Sequence, residues 1–400
     1  MPESRRAGAS IPLVWLATVV LVTLNLRPFL TAIGPLAPTI QAHTGMDVQA
    51  IAWLTLLPMA LIGAGTWAAP AVLRGLGARP ALALALLLIA LGCALRLLPG
   101  WLVATAALCG AGVALVQGLL PGLIKLHTPR HVAPMMGVYS AAMMGGGALG
   151  AQLSPLALQW GMDWRGTLAL WGVPALAALA LAWWQLGRMA TPQAAARPSG
   201  SAWLLRRPRT WYLMLTFGLM NGGYASMVAW LAPYYQQLGM SAAYSGMLVA
   251  VLSVAQAAMA LLLPVLAARS HSHDRRPWMA FTLAQQVLGF VLLALVPLSA
   301  PVLIVTILGF GLGGCFTFFM LVALDHLRQP LQAGALSALM QSGGFLLAAA
   351  APWAMAQLYQ WQGSFAFGWW LQAAIAVLVG VLALRFDPAR FESVLRPPPG

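Results

Sequence analysis

Ser140-Ala141-x-Met143-x-x-Gly146-Gly147 is followed 197 positions later by Ser337-Ala338-x-Met340-x-x-Gly343-Gly344. The same offset pairs Pro155 with Pro352, Trp164 with Trp361 and Gly166 with Gly363. Earlier in each half, Gly110-x-Gly112…His127 matches Gly309-x-Gly311…His326 at 199. Gly45-Met46 and Pro70 match Gly239-Met240 and Pro264 at 194. Chance supplies one such pair, not an ordered series. The chain is read as an internal duplication of two parallel units.

The solvent of these units follows from composition. Hydrophobic residues make up 61% of the 400 and charged residues 7%, with a mean hydropathy of +0.83. A soluble domain carries roughly 25% charged residues. The apolar residues fall into long runs such as Ala81–Leu95 and Ala284–Val296, and about 20 mostly apolar residues cross a bilayer as a helix. Twelve such spans are predicted: 12–39, 48–70, 80–98, 101–124, 133–160, 166–186, 210–236, 242–268, 278–297, 301–324, 332–359 and 364–385. The apolar runs are continuous rather than alternating, which excludes a β-barrel. The fold class is therefore an all-α membrane protein of twelve transmembrane helices in two six-helix parallel repeats. Residues 1–186 and 210–400 form the two bundles. The intervening 187–209, with five arginines, Pro192, Pro198, Ser199 and Gly200, is a cytoplasmic linker.

A net charge of +14 would suggest a nucleic-acid partner in a soluble protein. Its placement points elsewhere. With the N-terminus inside, 18 of the 21 cationic residues fall on one side, Arg5, Arg6, Arg74, Arg79, Lys125 and Arg130 among them. Arg96 and Arg165 lie on the other side, and Arg27 within a span. This is the positive-inside pattern, with both termini cytoplasmic and an inner-membrane location. No A-x-A-like site follows Ile11–Leu24, so that stretch is an uncleaved first span rather than a signal peptide. Cys93, Cys109 and Cys315 lie in apolar spans without disulfide or metal spacing.

Three stretches carry a resemblance. They are Asn25-Leu26-Arg27-Pro28 followed by Gly34-Pro35-Leu36, then Tyr224…Trp230-Leu231-Ala232-Pro233, and then Leu336 through Phe345. Together, and in order along the whole chain, they resemble the cyanate and 2-nitroimidazole transporter family within the major facilitator superfamily. The resemblance implies alternating-access movement of a small anion or small polar nitrogen compound across the inner membrane, with spans one and seven lining a central cavity. It leaves direction open. The chain departs from the superfamily pattern after span two, where Arg74-Gly-Leu-Gly77-Ala-Arg79 lacks an acid. The matching loop Arg269-Ser-His-Ser-His-Asp274-Arg275-Arg276 keeps one. A carboxylate–arginine latch is thus expected only in the second half.

Arg27 is the most informative residue. It lies 16 residues beyond Ile11, roughly 24 Å along a helix at 1.5 Å per residue, too deep to reach the cytoplasmic face. A guanidinium there needs water, a partner or a ligand, and no Asp or Glu lies centrally in any span. Either it bonds carbonyls freed near Pro28, Pro35 and Pro38, or it faces an anionic or electronegative substrate. Arg96, before Pro99-Gly100, is expected at the outer interface, and Arg165 pairs locally with Asp163. The other substrate-binding candidates are Asn25, Gln117, Tyr139, Asn221, Tyr224, Trp230 and Gln341; Gln256 is a further polar residue in an apolar span. Asn25 and Asn221 occupy similar places in spans one and seven, and Asn25 is expected to reach Asn221 or carbonyls loosened by Pro28. Tyr224 and Trp230 offer flat faces to a heterocycle. Each of these residues has an alternative role in bonding a neighbouring helix.

His43, His127, His131, His271, His273 and His326 fall in loops or at helix ends. No nucleophile–base or phosphate-loop motif is present, so no enzyme activity, catalytic residue, metal or cofactor is expected. The expected partners are a small-molecule substrate and membrane lipids, with the chain acting as a monomer. A proton-driven efflux pump for larger hydrophobic drugs is the alternative, disfavoured by the lack of intramembrane acids. A membrane-embedded receptor or enzyme is a third reading.

Overall fold

The computed structural model describes residues 12–46, 48–98, 100–188, 202–270 and 274–395. Each predicted span is occupied by a helix or a broken helix. In the first half these are α1 (Leu13–Leu24, Pro28–Thr31 and Ile33–Thr44), α2 (Val48–Thr66 and Ala69–Leu76), α3 (Ala78–Ala94), α4 (Leu102–His127), α5 (Val132–Gln159) and α6 (Trp164–Leu170 and Gly172–Arg188). In the second half they are α7 (Pro208–Gln237), α8 (Ala242–Arg269), α9 (Arg276–Leu295), α10 (Pro301–Asp325), α11 (Pro330–Ala348 and Ala350–Gln362) and α12 (Ala366–Ala383). Most of the predicted linker, His271 and His273 lie outside the described residues.

Among the described residues, ten helices are long and apolar enough to cross a membrane, or eleven with the bent α2 counted as one span. The remaining span is α7, long enough at 30 residues but carrying Arg209, Asn221, four tyrosines and two glutamines. The breaks have local causes. Pro28 has no N–H to bond the Leu24 carbonyl, so α1 stops at Leu24 and restarts with Pro28 at its first helical position. In α2 the chain bends by 57° at Trp67-Ala68, immediately before a turn that carries Pro70.

Packing repeats between the halves. In the first, α1 lies on α5, α2 on α4, and α3 on both α4 and α6; in the second, α7 lies on α11, α8 on α10, and α9 on both α10 and α12. The halves meet where α5 runs along α8 and where α11 meets α2 and α4. Leu84, Leu87 and Leu91 of α3, Val173 and Leu176 of α6, Leu288 of α9 and Val377 and Val381 of α12 point outward. An apolar outside is what lipid demands, and the polar residues consequently turn inward.

The halves touch closely at the end where α1 begins and α12 finishes. Lys125 Nζ, at the end of α4, donates to the Leu327 carbonyl at 2.6 Å and to that of Leu324. Gly122 of α4 faces Gly334 of α11 so closely that a Cβ on Gly334 would lie 2.7 Å from Gly122 Cα. Nearer mid-depth, Ser342 Oγ donates to the Gly63 carbonyl and Gln341 Nε2 to the Gln117 carbonyl at 3.2 Å. Among the described residues, hydrogen bonds between halves fall only at mid-depth and at this end.

Candidate substrate-binding site

The site is built on the break in α1. A helix that stops at Leu24 and restarts at Pro28 leaves Arg27 in a non-helical conformation, φ −125° and ψ −29°. The backbone of α5 presses against the break. A Cβ on Gly146 would collide with the Leu24 carbonyl oxygen, and one on Gly150 would lie 2.6 Å from Pro28 Cα. Small residues here allow backbone contact in lipid; Gly146 of the duplicated motif thus meets the Leu24 carbonyl that Pro28 leaves unbonded.

Arg27 is only 4% exposed. Its Cζ lies 5.3 Å from the ring centroid of Tyr224, on α7 of the other half. Among the described residues, Asp274, Asp325 and Asp387 make ion pairs, all at the end where α1 begins. Arg27 opens on a cleft with an empty volume of about 300 Å³. The cleft is lined by Arg27 of α1, Met143 and Met144 of α5, Met220, Asn221 and Tyr224 of α7, Gln256 of α8, and Leu312 and Phe316 of α10. The amide nitrogens of Asn221 and Gln256 are buried and bond nothing. Arg27 comes from the first half and Asn221 from the second.

The other candidates lie elsewhere. Asn25 Nδ2 donates to the Leu21 carbonyl at 2.7 Å and the Pro174 carbonyl at 3.2 Å, so it faces α6 and not Asn221. Trp230 Nε1 donates to the Pro352 carbonyl at 2.9 Å and its ring packs 5.3 Å from that of Phe365, within the second half. Gln117 and Gln341 join the two halves, and Gln117 Nε2 approaches Met143 Sδ at 3.6 Å. Tyr139, one turn before Met143 on α5, is fully buried with its hydroxyl unpaired.

Arg96 departs from its interfacial expectation. It is 1% exposed and its Nη1 donates to the Phe29 carbonyl at 3.1 Å. A short 3-10 turn, Leu95–Leu97, follows α3 and carries this side chain inward to the broken segment of α1. Bonding a carbonyl beside Pro28 was the alternative role considered for Arg27, and here Arg96 fills it. Gln256, a polar residue in a glycine-packed helix, gave no sequence signal beyond its polarity.

The loops differ as their acids do. Arg276 chelates Asp274 at 2.8 Å and holds its carboxyl below the usual carboxylate range. Arg275 meets Asp325 at 3.2 Å. In the first half, Arg79 instead donates to the Trp183 carbonyl at 2.9 Å and lies 3.9 Å above that ring.

Comparison with known proteins places this geometry. Residues 19–352 match the Major Facilitator Superfamily model. The chain is 39% identical over 386 residues to the cyanate transport protein CynX of Escherichia coli strain K12, covering 95% of this chain and 98% of that one. It is 33% identical over 380 residues to the 2-nitroimidazole transporter of the same strain, covering 93% and 95%. The crystal structure of the transporter FucP in the outward conformation superimposes with a TM-score of 0.71 at 15% identity, covering 94% of this chain and all of that one, a likeness of fold alone. The chain belongs to the cyanate and 2-nitroimidazole transporter family of the major facilitator superfamily, and it is a secondary transporter, not an enzyme.

Proposed function

We propose that the transporter moves a small anion or a small polar nitrogen compound, held at Arg27 in the cleft between the halves. The observation that carries this is a buried guanidinium with no acid beside it, in a cleft whose other polar groups include two unpaired amide nitrogens. Such a site offers donors and a positive charge, which match a ligand rich in lone pairs. The substrates that the relatives are named for, cyanate and 2-nitroimidazole, are of this chemistry.

No carboxylate borders the cleft, so coupling through a protonated side chain has no carrier there. Transport proceeds by facilitated diffusion, by exchange, or with a proton that neutralises the substrate itself. A thermal-shift screen of the purified protein against cyanate, nitrate, nitroimidazoles and larger cationic drugs tests the reading. Ligands of the first three kinds raise Tm as ln(1 + c/Kd), with c the free ligand concentration. Stabilisation by the cationic drugs alone would refute it.

The protein acts as a monomer in lipid, with bundles 1–186 and 210–400 joined by a cytoplasmic linker, 187–209. The distribution of arginines supports this topology. With it, the end closed at Lys125 faces the cytoplasm. Protease added to inverted vesicles is expected to cut the linker and leave two embedded halves of similar size. Cleavage only from the outer face reverses the topology.

A further inference from the structure

Helix α8 meets α10 backbone to backbone. A Cβ on Gly313 would lie 2.6 Å from Gln256 Cα, and one on Gly309 3.2 Å from Gln256 N. This approach seats Gln256 among the lining residues of α10, Leu312 and Phe316. The side chain is 2% exposed and its Nε2 has no partner. A buried, unpaired amide destabilises a helix bundle, and an apolar residue of the same size would not. The matching position in the first repeat, 194 residues earlier, is Ile62. The polar group therefore belongs to the second half alone and lies across the cleft from the half that supplies Arg27.

Resting on the reading of the cleft given above, we propose that Gln256 is its selectivity residue. Its amide N–H donates to the ligand from the half opposite Arg27. The ligand class this defines is a small, flat solute with lone-pair oxygen or nitrogen atoms at both ends. One end accepts from the guanidinium, and the other accepts from the amide.

Binding of two probes separates this role from packing. The probes are cyanate, which only accepts hydrogen bonds, and 2-nitroimidazole at mildly acidic pH, where it is neutral and keeps a ring N–H. Gln256→Glu replaces the donor with a negatively charged acceptor. Cyanate affinity is expected to fall at least about tenfold, while 2-nitroimidazole, whose N–H a carboxylate can accept, holds to within about threefold. Gln256→Leu is expected to weaken both probes and to leave the Tm of the ligand-free protein unchanged or raised. An equal loss of both probes in Gln256→Glu, or a lowered ligand-free Tm in Gln256→Leu, makes the residue structural and overturns the proposal. So does unaltered binding of both probes in the Gln256 variants while Arg27→Gln loses them, an outcome that leaves the reading of the cleft standing. If wild type binds neither probe, or Arg27→Gln binds both normally, that reading fails and this proposal with it.

Discussion

Replacing Arg27 with glutamine is expected to abolish substrate binding while the protein remains folded. The guanidinium is buried, faces the cleft and has no carboxylate beside it. Removing its charge therefore relieves the folded state of a costly group and strips the site of its attraction for an anion. Arg27→Lys keeps the charge but loses the planar fork of donors. Binding should weaken by roughly 1.5–3 kcal/mol, the range for a lost hydrogen bond to a charged group. Calorimetry on detergent-purified variants of matched monodispersity measures both effects. Normal affinity in Arg27→Gln would make the arginine structural. That outcome has a ready comparison, because Arg96 already bonds a carbonyl of the broken helix.

Gly334→Trp is expected to stop transport while leaving binding in place. Gly334 and Gly122 touch backbone to backbone at the closed end, next to the Lys125 bonds to the Leu324 and Leu327 carbonyls. An indole has no room between them, so the closed end can no longer shut. The cleft lies nearer mid-depth and shares no lining residue with this contact, so affinity should stay within about threefold, the effect of less than one ordinary hydrogen bond. Flux in liposomes reads the first effect and calorimetry the second. Wild-type flux in Gly334→Trp would mean that this contact is not a gate.

The spans were legible because lipid leaves few ways to satisfy a backbone, and a run of apolar residues says so directly. Arg27 was legible for the same reason, as a charge that lipid does not tolerate alone. Direction within the membrane was harder. Asn25 and Arg27 flank a point where α1 loses its helical course, so helical spacing no longer tells where either side chain points. Arg96 precedes Pro99-Gly100 and reads as the end of a span, but one 3-10 turn brings it inside. Trp230 reads as a ring available for stacking, and only the three-dimensional packing reveals the Pro352 carbonyl that binds it. Gln256 gained its place through glycines on another helix, a relation that pairs residues more than fifty positions apart.

The two halves of a duplicated chain bring different groups to the cleft, charged Arg27 from the first and neutral Asn221 from the second. A cleft built from equal halves would receive a solute in either of two orientations. This one has a head and a tail. On the proposed reading, cargo meets a fixed cation on one wall and exchangeable neutral groups, Asn221, Tyr224 and Gln256, on the other. Diversification can therefore run along a single wall, as substitutions on α7 and α8 retune what is carried while the cationic wall, set into the joint of α1, stays as it is.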